Sequence, residues 1–583
     1  TPAEPVWLVE LARLDHPAAV PGAVLSVLGL RDTVLVGREK PVAQDPTTQL
    51  LEHCAQRRLL LVLDNCEHVI GAAAELAERL LTHCPGVRIL ATSREPLGVP
   101  GELLRPVEPL PDPMAVRLFA ERGAAARPGF TVADDPDAAV EICRRLDGLP
   151  LAIELAAARL RLLTPRQIAD RLDNRFRLLT SGSRTVLPRQ QTLRAVVDWS
   201  WELLEADERT VLRRLSVFAG GCDLTAAEAV CARRDPDARY GTDIADVADV
   251  LGALVDKSLV VADPAPVRVS PGGSASAEGA TAMRYRMLET IHEYAAERAA
   301  EVPDDLAATV RRHTAHFTAL AEEAEPRLRS AAQLPWIVRI EAELDNLRAA
   351  FTAAVSDADL ETAQRLVFAL GWFWWLRNYR TEGAEWAGRV IELDPVEPAA
   401  DTPAYWRWMR LQLLHVFLLS ETRPIGEFRT PERLALAERI QRAFRRPGPE
   451  AARFPGMLWP LTCYLTGDAL DFHAGLDETV ANCRAHAGEW ELGVTLMLRT
   501  HVAIDIIGGL PTVDADLAEL HEIARRVGDR WTRAQVSSAA GEVALSRGRF
   551  DWARAEYEEC LRLAREVGSH FEAPFALARI AET

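Results

Sequence analysis

The chain has 583 residues, 26% of them charged and 48% hydrophobic, an ordinary globular composition that excludes a disordered or collagen-like chain. Its 67 basic and 85 acidic residues give a net charge of −18, so the whole chain is a poor non-specific binder of nucleic acid or anionic lipid. The longest uninterrupted apolar run, residues 366–376, is too short to span a bilayer, and no signal peptide opens the sequence. We therefore expect a soluble, cytoplasmic protein with no membrane partner.

Residues 1–111 are predicted to form an α/β domain. Continuous apolar runs such as 59–64 are typical of strands that are buried on both faces. The predicted elements are strands at 6–11, 59–64, 87–92 and 103–110 and a helix at 71–84. Because strands and helices alternate, the sequence predicts a parallel sheet.

The sequence then becomes helical over 112–186, and residues 187–300 are predicted to form a winged helix. Its predicted elements are helices at 192–204, 207–215 and 244–255 and a hairpin of 258–261 with 284–288, joined by a flexible wing loop at 264–282. The third helix is where a recognition helix would lie, but it carries Asp246 and Asp249, with Asp256 just after it. Helices that enter the major groove need cations and amides, so we predict that this winged helix does not read DNA.

Residues 301–345 are predicted to be linker helices, and 346–583 a helical repeat array. The segment 523–531 returns 40 residues later as 563–571, and Gly488, Gly528 and Gly568 share that spacing. A period near 40 with glycine at the turns indicates a helical solenoid of tetratricopeptide-like repeats. We expect a right-handed array with a partner-binding concave face.

Tryptophans are concentrated near the start of the array. They are Trp372, Trp374, Trp375, Trp386, Trp406 and Trp408. Aromatic stripes at helical spacing usually pack between helices, so most of these rings are predicted to be core. Adjacent Trp374 and Trp375 cannot face the same way on a helix, which predicts that at least one is exposed to a partner or to the winged helix.

The sequence lacks the residues that three kinds of site require, namely a P-loop, a zinc module and a catalytic serine or cysteine. A phosphate-binding P-loop needs a lysine after a glycine-rich turn, and the only lysines, Lys40 and Lys257, lie in no such motif. The nine cysteines form no Cys-x-x-Cys pair and match no zinc module, so they are predicted to be reduced, buried thiols. The histidines offer no partner set for a serine or cysteine nucleophile.

Charged and polar residues end two of the predicted strands. Asp64 closes one strand, and Thr92-Ser93-Arg94 closes another. Ligands bind at the carboxyl ends of strands in an open parallel sheet, so an acid suited to Mg²⁺ and a cation suited to phosphate fall on the functional edge. Gly148 and Pro150 have a structural explanation, since glycine ends helices and proline begins them.

Taken together and in order, three segments resemble the NB-ARC-type module of the STAND signalling ATPases. They are Leu-Leu-Leu-Val-Leu-Asp-Asn-Cys-Glu-His at 59–68, Ala-Thr-Ser-Arg-Glu-Pro-Leu at 91–97 and Gly-Leu-Pro-Leu-Ala at 148–152. With its repeats the chain is most similar to large regulators of the Streptomyces antibiotic regulatory protein (SARP) type. The resemblance implies ATP or ADP with Mg²⁺ as cofactors. Asp64 would be the Walker B acid and the metal ligand, Arg94 the γ-phosphate sensor and Pro150 an adenine contact, with Thr92 and Gly148 in the same nucleotide site.

The sequence departs from that family at three places. The P-loop that should precede Val6 is missing, and Asn65 replaces the second Walker B acid, a catalytic role that Glu67 could take. Met-Leu-Glu at 287–289 stands where the family has Met-His-Asp, with His292 a turn later as a replacement. These departures predict a nucleotide switch that is at most a slow ATPase and that needs the upstream P-loop.

The leading hypothesis is a nucleotide-controlled signalling module of a bacterial transcription regulator of secondary metabolism, whose repeats receive a protein or small-molecule signal. DNA and RNA polymerase would be contacted only through a domain outside this chain, and homo-oligomerisation stays open. One alternative is a large LuxR-type ATP-binding regulator with a C-terminal helix-turn-helix. Another is a repeat scaffold whose nucleotide site has decayed.

The missing P-loop predicts a gap in the sheet. In ATPases of this class the strand that leads into the phosphate loop lies between the strands matching 88–92 and 103–107. Those two segments should therefore not pair, and an empty position would separate them by about twice the 4.8 Å strand spacing.

Overall fold

The computed structural model describes most of the chain, namely residues 5–11, 14, 16–29, 45–93, 95–105, 107–146, 148–179, 194, 197–198, 200–232, 246–264, 283–420, 430–467, 469–504, 510–568 and 572–583. The chain divides into two compact units. The first comprises residues 1–102, 268–276 and 318–583, and the second comprises 103–267 and 277–317. The predicted fold class, multidomain and mostly α with a partial α/β sheet, is confirmed.

The first unit begins with an α/β segment. Its elements are β1 (Val6–Glu10), α1 (Val20–Val27), α2 (Pro46–Cys54), β2 (Leu59–Asp64), α3 (Ile70–His83) and β3 (Val87–Ala91). The strands are parallel in the order β1-β2-β3, with Trp7 beside Leu61 and Leu61 beside Ile89. The first three predicted strands and the helix between the second and third are confirmed.

The two faces of this sheet differ in what covers them. One face packs against α1, α2 and α3, where the side chains of Val9, Leu61 and Leu63 are fully buried. Strand residues alternate between faces, so Leu8, Val62 and Leu90 form a row on the other face. Leu8 is 54% and Leu90 56% exposed. An apolar sheet face is therefore left uncovered by the described residues.

The strand predicted at 103–110 is wrong. Residues 103–105 and 107–110 have no regular secondary structure, and Leu103 and Val107 are 90% and 93% exposed. A strand is stabilised by its neighbour's hydrogen bonds, and the three described strands of the sheet do not include this segment. Apolar side chains alone therefore do not make it a strand.

The second unit has four helices over 112–179 and a helix-and-sheet segment after them. Its elements are α4 (Asp112–Ala126), α5 (Pro136–Arg145), α6 (Pro150–Ala158), α7 (Pro165–Leu179), α8 (Ala206–Leu215), β4 (Cys222–Asp223), α9 (Leu224–Cys231), α10 (Val247–Asp256), β5 (Val261–Pro264), β6 (Met283–Arg286) and α11 (Glu289–Ala300). The second sheet is antiparallel in the order β4-β6-β5. The predicted hairpin is confirmed, but its strands begin and end a few residues from the expected positions. Of the predicted helix at 192–204, residues 192, 193, 195, 196 and 199 lie outside the described residues, and so does nearly all of the wing loop.

A long helix, α12 (Pro303–Arg327), leads into the repeats of the first unit. The helices that follow are α13 (Gln333–Ala342), α14 (Leu344–Ser356), α15 (Leu360–Leu376), α16 (Arg380–Leu393), α17 (Pro403–Ser420), α18 (Pro431–Phe444), α19 (Pro449–Ala452), α20 (Cys463–Thr466), α21 (Ala469–His486), α22 (Glu489–Ile504), α23 (Leu510–Val527), α24 (Arg530–Ser546), α25 (Phe550–Val567) and α26 (Glu572–Glu582). None of the described helices is long and apolar enough to cross a membrane.

Glycines end helices in the array where the repeat predicts them. Gly528 and Gly568, which are 40 residues apart, each follow a helix with φ angles of 78° and 68° in the left-handed region that favours glycine. Gly488, the third predicted position, lies between α21 and α22 without a left-handed φ. The predicted spacing of 40 residues therefore marks equivalent turns of successive repeats.

The first helices of the array contact its last helices. The Gln333 side-chain oxygen accepts from the backbone N–H of Arg530 at 2.9 Å, and a guanidinium nitrogen of Arg329 lies 3.3 Å from Glu491. Arg377 pairs with Glu341 at 2.7 Å and donates to the carbonyl of Val567. Residues separated by 160 to 200 positions are thus joined directly.

The tryptophans near the start of the array are mostly core, as predicted. Trp372, Trp374 and Trp408 are buried, whereas Trp375 is half-buried. Trp374 stacks on Phe351, and Trp375 stacks on Trp372, so the two neighbours do face different ways. The prediction that one of them is exposed is wrong, because each ring packs against other aromatic rings.

Candidate functional site

The ends of β2 and β3 are joined by side chains at the carboxyl edge of the parallel sheet. The Thr92 hydroxyl donates to Oδ1 of Asp64 at 2.6 Å and accepts from the backbone N–H of Asn65 at 2.9 Å. Both side chains lie on the same side of the sheet as Leu90, because strand residues alternate. The two predicted strand-end residues are therefore brought together, beside the uncovered apolar face.

A tight turn follows Asp64. Asn65 has a left-handed φ of 62°, and the Cys66 N–H donates to the Thr92 carbonyl at 3.0 Å. With the Asn65 amide oriented so that its nitrogen faces Glu67, that nitrogen lies 2.9 Å from Oε1. The predicted catalytic substitute, Glu67, is thus engaged by the residue that replaces the second acid. This contact was not predicted, although asparagine after a strand is a known signal for a left-handed turn.

The thiol in this turn is inert. Cys66 is fully buried, and burial, together with the carboxylates of Glu67 and Asp64, raises its pKa to about 11. A thiol with so high a pKa stays protonated near neutral pH and is a poor nucleophile or metal ligand. All nine cysteines are free and buried, as the sequence predicts.

The Asp64 carboxylate is suited to bind one hard cation whose remaining ligands come from elsewhere. Among the described residues, no group of three or more histidine, cysteine, aspartate or glutamate side chains could hold a metal ion. Mg²⁺ is commonly held by one or two carboxylates, with water and substrate phosphates completing the shell. Asp64, half-buried at an open sheet edge, fits that kind of site but does not make a closed metal centre.

The other predicted nucleotide-site residues are not among the residues described for the first unit. Arg94, the predicted phosphate sensor, lies outside the described residues. Gly148, Pro150 and His292 belong to the second unit.

Gly148 is required by the local backbone. Its φ is 64°, its carbonyl accepts from the Leu110 N–H at 3.0 Å, and a Cβ there would lie 2.3 Å from the Leu110 carbonyl oxygen. Only glycine fits such a position. The structural explanation given for this residue is therefore confirmed, and its nucleotide role remains a prediction.

Pro150 and His292 lie at the beginnings of helices. Pro150 is the first residue of α6 and is exposed, so its ring is available for contact. His292 is half-buried in the first turn of α11, where its backbone N–H donates to the Leu288 carbonyl at 2.9 Å. Both positions leave part of the side chain accessible, as a ligand contact requires.

The helix α10 has little to offer a DNA phosphate. Asp246 caps it by accepting from the Asp249 N–H at 3.2 Å, and Asp256 pairs with Arg161 at 2.7 Å. The nearby cation, Lys257, is bound by the buried carboxylate of Glu208. That this helix does not read DNA stays a prediction.

The chain is similar in sequence to curated bacterial regulators. It is 35% identical over 570 residues to proteins of Mycobacterium tuberculosis and Mycobacterium bovis that are named "Putative HTH-type transcriptional regulator", covering 97% of this chain. It is 30% identical over 303 residues to the regulatory protein AfsR of Streptomyces griseus, covering 50% of this chain and 26% of AfsR. The resemblance predicted from the motifs is thereby confirmed: the chain is related to transcriptional regulators of bacteria.

The chain spans 59% of the length of those mycobacterial relatives. No family model matches it. Among solved structures it is similar to a STAND protein with a tetratricopeptide repeat sensor from Pyrococcus horikoshii, with a TM-score of 0.47 and 13% identity over 100% of this chain and 80% of the other.

Proposed function

We propose that this chain is the nucleotide-controlled signalling module of a bacterial transcription regulator, and that its repeats receive the signal. The observation that carries the proposal is the pair formed by Asp64 and Thr92 at the carboxyl edge of a parallel sheet. Ligands bind at that edge in open α/β sheets. The relationship to transcriptional regulators supports the regulatory role.

In this proposal Asp64 holds Mg²⁺ and, through it, the phosphates of ATP or ADP. The Thr92 hydroxyl fixes one carboxylate oxygen, which leaves the other for the metal. Arg94 would contact the terminal phosphate, and Pro150 and His292 would contact the base and the diphosphate. With Asn65 in place of an acid, and with Glu67 engaged by it, water would be activated poorly, so the nucleotide acts as a slow switch.

The phosphate-binding segment would come from a part of the regulator outside this sequence. Two features support this: β3 has β2 as its sole neighbour in the described sheet, and the face that carries Leu8 and Leu90 is uncovered. A strand paired with β3 would extend the sheet, and a helix on that face would bury apolar surface. We propose that the P-loop strand and its helix occupy these positions.

The proposed output is transcription control through a DNA-binding domain elsewhere in the regulator. Helix-turn-helix is part of the mycobacterial relatives' name, and the acidic α10 of this chain is not suited to DNA. A role in secondary metabolism is proposed from the SARP resemblance.

The nucleotide site is tested in the full-length regulator. After purification, denaturation should release bound ADP or ATP, and titration with fluorescent ATP should show Mg²⁺-dependent binding. Asp64→Asn should abolish the Mg²⁺ dependence, whereas Asp134→Asn, on an exposed turn, should leave it unchanged. Full-length protein that neither carries nor binds nucleotide would overturn the switch and favour a scaffold whose site has decayed.

A further inference from the structure

An aromatic cluster joins distant helices of the array. We call Trp372, Trp375, Phe454, Trp490 and Trp531 the tryptophan cluster. Trp372 stacks on Trp375 with ring centroids 4.9 Å apart, and it contacts Trp490 and Trp531 edge-on at 4.9 and 5.0 Å. Its members come from α15, α22, α24 and the segment after α19, so four parts of the array meet in one place.

The cluster contains buried hydrogen-bond donors with no acceptor. The indole N–H groups of Trp372, Trp375 and Trp490 are inaccessible to solvent and have no hydrogen-bond partner among the described residues. The whole side chains of Trp372 and Trp490 are only 2% and 5% exposed. Buried tryptophan N–H groups ordinarily find a partner, and leaving one without a partner is costly. Three such donors therefore lie in one cluster, and the described residues supply no acceptor for them.

Arginine side chains around the cluster disfavour a cationic ligand. The Arg329 guanidinium lies 4.4 Å from the ring centre of Trp490 and 4.9 Å from that of Phe454. The Arg380 guanidinium lies 5.2 Å from the ring centre of Trp375. The ring faces that would attract a cation are already covered by the protein's own cations. Among the described residues, the indole N–H groups of the cluster lack hydrogen-bond acceptors.

We propose that the tryptophan cluster binds a flat aromatic molecule that carries carbonyl or carboxylate oxygens. The ring of the ligand would stack on the indole of Trp372, and its oxygens would accept from the N–H groups of Trp372 and Trp490. The rings already touch, so the ligand enters by displacing Trp375, the half-buried member. The other four rings are at most 7% exposed and form the walls.

This inference deepens the sensing role proposed for the repeats, since it names the class of signal. Its test is independent of nucleotide, because it reads ligand binding to the array without ATP or ADP. Failure of the nucleotide experiment would leave the ligand site standing, and the reverse also holds.

The experiment uses the whole 583-residue chain and three probes with the same ring. They are 2-naphthoate, the neutral ketone 2-acetylnaphthalene, and 2-naphthylmethylammonium, which has donors but no acceptor. Binding is followed by calorimetry and by quenching of tryptophan fluorescence. We expect the first two probes to bind saturably with dissociation constants below about 1 mM, and the third not to bind. A higher affinity for naphthoate identifies the ligand as a carboxylate, and equal affinities identify it as a neutral carbonyl compound.

Two variants remove a donor and keep an aromatic ring. Trp372→Phe and Trp490→Phe should each weaken binding of the acceptor probes by about three- to tenfold. Trp552→Phe is the control, because Trp552 is 50% exposed and its N–H donates to Glu556 at 3.1 Å. Thermal unfolding verifies that each variant is folded. If neither acceptor probe binds saturably, or if both variants bind like the unchanged protein, the proposal is overturned and the cluster is structural only.

Discussion

The hydroxyl of Thr92 reaches across from the end of β3 to the carboxylate of Asp64 at the end of β2, at 2.6 Å. The same hydroxyl accepts from the N–H of Asn65, so one small side chain fixes both the acid and the turn that follows it. The position of the acid therefore depends on a residue 28 positions away in the sequence.

Replacing Thr92 by valine keeps the shape of the side chain and removes its hydrogen bonds. We expect Thr92→Val to lower the free energy of unfolding by about 1 kcal/mol, because Asp64 and the Asn65 N–H lose their partner at a partly open site. Urea unfolding measures this. Thr82→Val is the control, since that hydroxyl only bonds the Glu78 carbonyl within an exposed helix turn. Equal stability of the two variants would contradict the structural role of Thr92.

Gly148 has no tolerance for a side chain. Gly148→Ala places a methyl group 2.3 Å from the Leu110 carbonyl oxygen and adds the cost of a left-handed residue, so we expect a loss of more than about 2 kcal/mol. Gly129 in the same unit has a φ of 84° with no atom within 4 Å of such a methyl group. Gly129→Ala should cost only about 1 kcal/mol, measured by thermal unfolding.

The ion pair of Arg377 and Glu341 is largely buried, at 12% and 14% side-chain exposure. Arg377→Met leaves Glu341 without its cation and the Val567 carbonyl without its donor, so we expect a loss of about 3 kcal/mol in urea unfolding. Arg117 and Glu121 form an exposed pair on α4. Arg117→Met should change the free energy of unfolding by less than about 0.5 kcal/mol, and a similar loss in both variants would show that burial is not the cause.

Acid should destabilise the array through His415. Burial, with a smaller effect of Arg433, lowers the pKa of His415 to about 4 from 6.5. The unfolded chain takes up the proton first, so the stability contributed by the neutral ring is present above pH 6.5 and is lost as the pH falls from 6.5 to 4. His415→Gln should flatten the pH dependence of unfolding in that window. An unchanged profile would show that the ring is solvated.

Local sequence patterns predicted those elements whose structure depends mainly on their own residues. The apolar runs of β2 and β3 and the glycine turns at 528 and 568 depend on burial and backbone conformation, which sequence shows directly. The meeting of Asp64 with Thr92 also followed, because carboxyl ends of neighbouring parallel strands share an edge. The strand prediction at 103–110 was wrong because a strand needs a neighbouring strand to bond with, and composition does not show whether one is present.

Long-range packing could not be predicted from the sequence. The different directions of Trp374 and Trp375 follow from helix geometry. That Trp372 meets Trp490 and Trp531 does not, because it depends on how successive repeats turn over more than a hundred residues. The local sequence period does not determine that path. The prediction that Trp374 or Trp375 is exposed was therefore wrong.

The direct bonds between the first and last helices of the array change how it should lose its structure. A solenoid whose repeats touch only their neighbours unfolds as a one-dimensional chain that frays from an end. Here Gln333 holds the N–H of Arg530, and Arg377 holds the carbonyl of Val567, so terminal repeats cannot melt without breaking contacts made at the other end. Hydrogen exchange in α24 and α25 should consequently proceed through a single cooperative opening that also includes α13 and α15.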